Sequence, residues 1–349
     1  MVANRWARLG RILIVLTLAA FAPATGWAQV DVPKFLSEQL GFSSKDLEEL
    51  AKGEAVLKVP RPEDDAEVQV FGAIIVSAPA MFLIQGFRDF NAPASDASTI
   101  MQMGRLSSSP APADFSRLEI PKDDVEALKK CQVGKCDVKL PASAIERFLA
   151  DVDWSANDYS RQVHALFAEL SVGYVQAYMS EGSSALATYN DKSEPLSVAE
   201  GFRRLLGESS QFFTYDASFH RYLQRYPNEP VQGVENIFYW AVEDFSLKPV
   251  IGLYHMAIRA EPETTGVDAI IATKQLYASH YFQAALDYVL LVTVPGRDEV
   301  YLLWVLRQRF DGRVSGIKRT ILERGLRGNI DDMLESVKTT IEKNYKASR

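Results

Sequence analysis

Apolar positions recur along this chain at two spacings, and each spacing predicts a different element. From Phe35 to Leu57 they fall at helical steps, with Ser43 or Ser44 as a cap and Gly53 as a stop. Residues 60–65 read as a polar loop. Glu67 to Val76 is rich in β-branched residues and free of proline, which predicts a strand. Pro79 opens a helix, where its missing N–H costs nothing, and Met81, Phe82, Ile84, Phe87 and Phe90 follow at near-helical steps. Residues 104–121 collect glycine, serine and proline and read as a surface loop, before a short helix over 123–130.

Residues 141–210 form a helical block. Helices are predicted over Ser143–Val152 and Tyr159–Met179, the second with Val163, Leu166, Phe167, Leu170, Tyr174 and Ala177 along one face. Ser197 and Glu200 have capping-box spacing for a third helix that ends at Gly207. From Glu235 the period becomes two. Strands are expected over 237–242, 249–259, 268–285 (bent), 286–294 and 300–310, the last two joined by Pro295-Gly296-Arg297-Asp298. Short turns between successive strands imply antiparallel pairing. The chain closes on a long amphipathic helix from Val314 to Tyr345, whose apolar stripe needs a surface to lie on. The preceding sheet is that surface. The fold class is therefore α+β: a curved antiparallel sheet packed on a long C-terminal helix, with an inserted helical block.

The first 28 residues read as a cleavable signal peptide. Arg5, Arg8 and Arg11 precede an apolar run from Ile12 to Ala22, and Gly26 and Ala28 place small residues at a cleavage site. The run is too short for a membrane helix, which needs roughly 20 apolar residues. The expected location is the periplasm or the exterior. Loss of this segment removes three arginines and no acid, so 35 basic and 45 acidic residues remain, a formal charge of −10. An acidic chain without a basic block does not suit nucleic acid. No later apolar stretch reaches membrane-spanning length. Residues 29–349 are read as one domain, with 104–210 as its loop, cysteine turn and helical insertion. In an oxidising compartment, Cys131 and Cys136, five positions apart with Gly134 between them, are expected to form a disulfide.

The order strand, helix, helical block, antiparallel strands, long helix resembles the START-like, or helix-grip, superfamily. Ile74-Ile75-Val76-Ser77-Ala78-Pro79 with Phe82, Phe87 and Asp89 is similar to that family's opening, and Val289–Tyr345 to its closing strand–turn–strand–helix. The resemblance implies an apolar cavity between sheet and C-terminal helix, with a hydrophobic small molecule or lipid as its occupant. The residues between its first two strands, well over a hundred, depart from the family pattern.

The mixture of aromatic, small and polar residues over Lys274–Phe282 suits a pocket lining. Simple alternation places Lys274, Leu276, Ala278, His280 and Phe282 on one face, and Gln275, Tyr277, Ser279 and Tyr281 on the other. The candidate ligand-binding residues are Tyr254, His255, Met256, Lys274, Tyr277, His280 and Tyr281. The competing reading for these strands is ordinary sheet packing. A second reading of the whole chain is an envelope interaction module that uses the block 141–210 as a partner surface. A third is a hydrolase or isomerase built on His255 or His280. No Gly-x-Ser-x-Gly, P-loop or dinucleotide motif occurs, no histidine pair has metal-ligand spacing, and no cofactor or metal is implied.

Overall fold

Long runs of β-branched and aromatic residues between Glu67 and Phe310 build one eight-stranded sheet. A computed structural model describes residues 30–89, 99–213, 215–245, 248–260 and 266–349. The predicted signal peptide and Phe90 lie outside those residues. The strands are β1 (Val56–Lys58), β2 (Glu67–Val76), β3 (Ile100–Arg105), β4 (Val234–Asp244), β5 (Pro249–Ala260), β6 (Ala269–Ala278), β7 (Phe282–Thr293) and β8 (Val300–Phe310). Their order is β1-β2-β8-β7-β6-β5-β4-β3 and every ladder is antiparallel. Strands β4 to β8 thus form a meander, and β2 returns to pair with the last strand from Glu67–Arg309 to Val76–Val300.

Both faces of the sheet are covered. On one face lies the C-terminal helix, Gly316–Ala347, with the helix Ala80–Arg88 beside it. The C-terminal helix is about 48 Å long at the usual rise per residue. Its stripe of Leu326, Ile330, Leu334, Val337 and Ile341 packs on Val70, Ile74, Leu302 and Trp304. Gly72 permits this approach: a Cβ there would stand 2.8 Å from Leu334 Cδ1 and 3.1 Å from Ile330 Cγ2. On the opposite face lies the helical block, principally Ala142–Asp151, Tyr159–Glu181, Val198–Gly207 and Ala217–Arg225. Its apolar stripe, including Val163, Leu166, Phe167 and Val175, joins Leu286, Tyr288 and Leu290 of the sheet in the larger core. The architecture is α+β in three layers, with the sheet in the middle.

Some elements differ from the sequence reading. The helix expected over Phe35–Leu57 is two helices, Val32–Glu38 and Ser44–Ala51, separated at Gly41, which has φ +69°. The second has the reciprocal Ser43–Asp46 capping box. The long bent strand over 268–285 is β6 and β7, joined by a turn at 279–281 in which Tyr281 takes φ +58°. The loop predicted over 104–121 begins inside β3, which among the described residues is an edge strand paired with β4. The helix Ala217–Arg225, capped by Asp216, was not foreseen.

A register shift between Leu253 and Tyr254 corrects the predicted alternation on β6. Tyr254 pairs with Gln275 and Leu253 with Tyr277, so Leu276 bulges out. Lys274 and Tyr277 therefore share the face toward the helical block. The bulge frees backbone groups, and tyrosines of the block replace the lost ladder bonds. Tyr174 donates to the Leu276 carbonyl at 2.7 Å, and the Ala278 N–H donates to Tyr189 Oη at 3.0 Å. Buried backbone groups need such partners, so the bulge and the block hold each other in register.

Cys131 and Cys136 form the expected disulfide, with Cα atoms 4.4 Å apart. Gly134 has φ +84° in the turn between them, and its N–H donates to the Asn190 carbonyl at 2.7 Å. Closure of so short a loop is worth about 2 kcal/mol by the chain-entropy relation. Cys131→Ser with Cys136→Ser should lower the calorimetric midpoint by a few degrees. An unchanged midpoint would show that the Gly134 N–H bond to the Asn190 carbonyl and the bond of the residue 136 N–H to the Asp191 carbonyl hold this turn without the disulfide.

Candidate functional site

The seven candidate residues do not form one site. Tyr254 and Met256 face the C-terminal helix. His255, Lys274 and Tyr277 face the helical block. His280 and Tyr281 lie in the β6–β7 turn, where His280 Nε2 is 2.9 Å from Asp124 Oδ1 and both side chains are buried.

The His255 group is a closed polar knot in the core. His255 Nδ1 is 3.1 Å from Tyr178 Oη, and Nε2 is 2.7 Å from Asn236 Oδ1. The ring stacks on Phe238 at 4.6 Å. Lys274 Nζ donates to the Leu223 carbonyl at 2.8 Å and to Tyr178 Oη at 3.2 Å. Burial lowers the Lys274 pKa to about 7. Burial, then the nearby Lys274, holds His255 well below the usual histidine range. His255 is 1 % exposed and Lys274 0 %. These side chains tie the helices Tyr159–Glu181 and Ala217–Arg225 to the sheet, and both ring nitrogens of His255 are already engaged.

Tyr277 lines a separate pocket of about 210 Å³ between the helical block and the sheet, with Phe167, Leu170, Ser171, Tyr174 and Leu253. Its hydroxyl is buried without a hydrogen-bond partner. Within 141–210, Leu149 is the one large apolar side chain that is exposed. The apolar faces of that block are used against the sheet.

The resemblance implies a pocket on the sheet side of the C-terminal helix. That helix rests chiefly on β2. Where the sheet curves away toward β4, a cavity of about 130 Å³ opens between them. Ile330 and Met333 form its helix side, Phe87 and Phe245 its flanks, and Met256 and Val289 part of its floor. The floor also carries Glu243, Thr273, Asp287 and Gln308, so it is mixed rather than apolar. Three of the lining side chains hold a buried polar atom with no partner: Asp287 Oδ1, Gln308 Oε1 and Trp304 Nε1. Such atoms cost roughly 1–3 kcal/mol each when left unpaired.

The acids of this floor are strongly perturbed. Burial, and then the neighbouring Glu243, raises the Asp287 pKa to about 8. Burial also raises Glu243, against the opposing hydrogen bond from Tyr254. Tyr254 Oη makes a short contact with Glu243 Oε2 and accepts from Gln275 Nε2 at 2.9 Å. Of the seven candidates, Met256 lines this cavity and Tyr254 reaches it through Glu243.

Asp287, Glu243, Gln308 and Trp304 were missed as site residues. Their signal was present in weak form: Asp287 is the lone acid in the apolar run Phe282–Val294, and Gln308 occupies an inward position of β8.

Among the described residues, no group of three or more His, Cys, Asp or Glu side chains could hold a metal ion, and no helix is long and apolar enough to cross a membrane. The sequence matches no protein-family model and no curated protein.

Proposed function

We propose that the protein, once exported, binds a small molecule beneath its C-terminal helix, in the manner of the START-like proteins it resembles. The observation that carries this reading is the set of unpartnered polar atoms on Asp287, Gln308 and Trp304 around one cavity. Polar atoms that the chain leaves unpaired suit an occupant that pairs them. Apolar walls with a few convergent polar groups favour a molecule with an apolar body and a polar head. A cavity of about 130 Å³ is of the scale that admits benzene. A short molecule fits it, and a whole lipid does not.

The test is extraction of the mature protein, purified from its native host, followed by mass spectrometry. Met333→Trp serves as the control, because Met333 is partly exposed on the helix side of the cavity and a larger side chain there fills it. A small molecule should accompany the wild type and be depleted at least tenfold in the variant. No co-purifying small molecule in either protein would sink the reading.

A further inference from the structure

We propose that this cavity selects a short protonated primary amine that carries an oxygen atom along its chain, the chemistry of a small amino alcohol. The inference rests on the small-molecule reading above and adds the class of the ligand. Three independent features of the lining point to it.

The first is charge. Among the described residues, Glu243 and Asp287 are the ionisable acids of the lining, and no lysine, arginine or histidine lines the cavity with them. Both carboxyls therefore lack a cationic partner within the site. The second is hydrogen-bond supply. Asp287 Oδ1 and Gln308 Oε1 are acceptors without donors. Gln308 is only 6 % exposed, so water outside the cavity does not serve it. A primary ammonium brings three donors and no acceptor, which matches two orphaned acceptors better than a hydroxyl with its single donor. A quaternary ammonium supplies charge but no donor, and leaves both acceptors unpaired. The third is the aromatic enclosure. Phe87, Tyr239, Phe245 and Trp304 all line the cavity, and ring faces attract a desolvated cation.

Register sets the layout of the ligand. Asp287 pairs with Leu306, so it lies across from the midpoint between Trp304 and Gln308 on β8. An ammonium held between Asp287 and Gln308 lies to one side of that midpoint. Trp304, 6 % exposed and with its indole N–H lacking an acceptor, lies to the other side. It calls for an oxygen on the ligand several bonds from the nitrogen.

Binding also moves a proton. Asp287, largely protonated at neutral pH because of its burial and of Glu243, ionises when a cation arrives beside it and releases its proton to solvent. The other titratable groups around the cavity are Glu243 and Tyr239 on β4, with Tyr254 on β5 behind Glu243. The C-terminal helix contributes Leu326, Asn329, Ile330 and Met333, none of which titrates.

The experiment is isothermal titration of the full mature chain with 4-aminobutan-1-ol and with 1,4-butanediol, two probes of equal length. At pH 7 the amine should bind at least tenfold more tightly, and should release up to one proton when titrated in buffers of different ionisation enthalpy. Asp287→Asn should abolish both the preference and the release. Glu243→Gln, a second isosteric change, should reduce the preference. Equal binding of the two probes, or an undiminished preference in Asp287→Asn, would overturn the amine assignment and leave small-molecule binding standing. Failure of both probes to bind, together with no co-purifying molecule, would overturn both.

Discussion

Leu334→Asp should destabilise the protein by about 3–5 kcal/mol at pH 7, the range of a buried, uncompensated charge. Leu334 is 0 % exposed, in the middle of the stripe by which the C-terminal helix grips the sheet. Its Cδ1 lies 2.8 Å from the place a Cβ on Gly72 would take, so the two surfaces meet with no room for a hydrated carboxylate. Its companions in this core include Ile330, Val337, Val70 and Ile74, all apolar. Two terms add: the lost packing of the leucine, and the desolvation of the new charge. They separate by pH. The new carboxyl would have a raised folded-state pKa, so its electrostatic penalty should shrink as pH falls toward 4, whereas Leu334→Ala should show no such recovery. Urea midpoints at pH 7 and pH 4 for the two variants measure this. A near-wild-type midpoint at pH 7 would mean that the helix can leave the sheet at little cost, and that it is a poor wall for a binding cavity.

The layers of this fold were legible because they rest on long, regular patterns. The period-two segments near Ile237–Val242 and Pro249–Arg259 became β4 and β5, and the stripe from Val314 to Tyr345 became the C-terminal helix. Short or irregular features were not legible. Ile100–Arg105 contains Met, Gln and Gly at an edge, where one-sided pairing relaxes the demand for alternation. The bulge at Leu276 leaves no mark in composition, yet it turned Tyr277 to the face that carries Lys274, whereas alternation along β5 already parts Tyr254 and Met256 from His255. The most polar-looking cluster, His255 with Lys274, was read as lining and is instead a satisfied knot. The reverse error concerned Asp287 and Gln308. Each is a single polar residue inside an apolar strand, and only the register of β6, β7 and β8 shows them around one cavity. A sequence reveals which residues are polar; whether their atoms find partners is decided by packing.

Asp287 carries the second large expectation, a stability cost that grows with pH. Its folded-state pKa is raised to about 8, first by burial and then by Glu243, against roughly 4 for an aspartate in the unfolded chain. Between those two values the unfolded chain has given up the proton and the folded chain still holds it. The folded state binds more protons, so stability falls as pH rises through this window and levels off above about 8. Asn is isosteric, cannot ionise, and removes this penalty. The stability of Asp287→Asn relative to wild type should therefore rise from pH 4 to pH 8, by an amount on the order of a few kcal/mol given that Asp287 is only partly shielded. Glu243 has the same sign of shift and is present in both proteins, so the difference between them isolates Asp287. Denaturant midpoints at pH 4, 6 and 8 suffice. A gap that is flat or narrows with pH would show that the fold does not raise the Asp287 pKa, and would remove this carboxyl from the set held at a loss on the cavity floor. A gap that widens would identify a carboxyl that the empty fold holds at a loss, and saturating the protein with a bound cation should close that gap by supplying the missing charge.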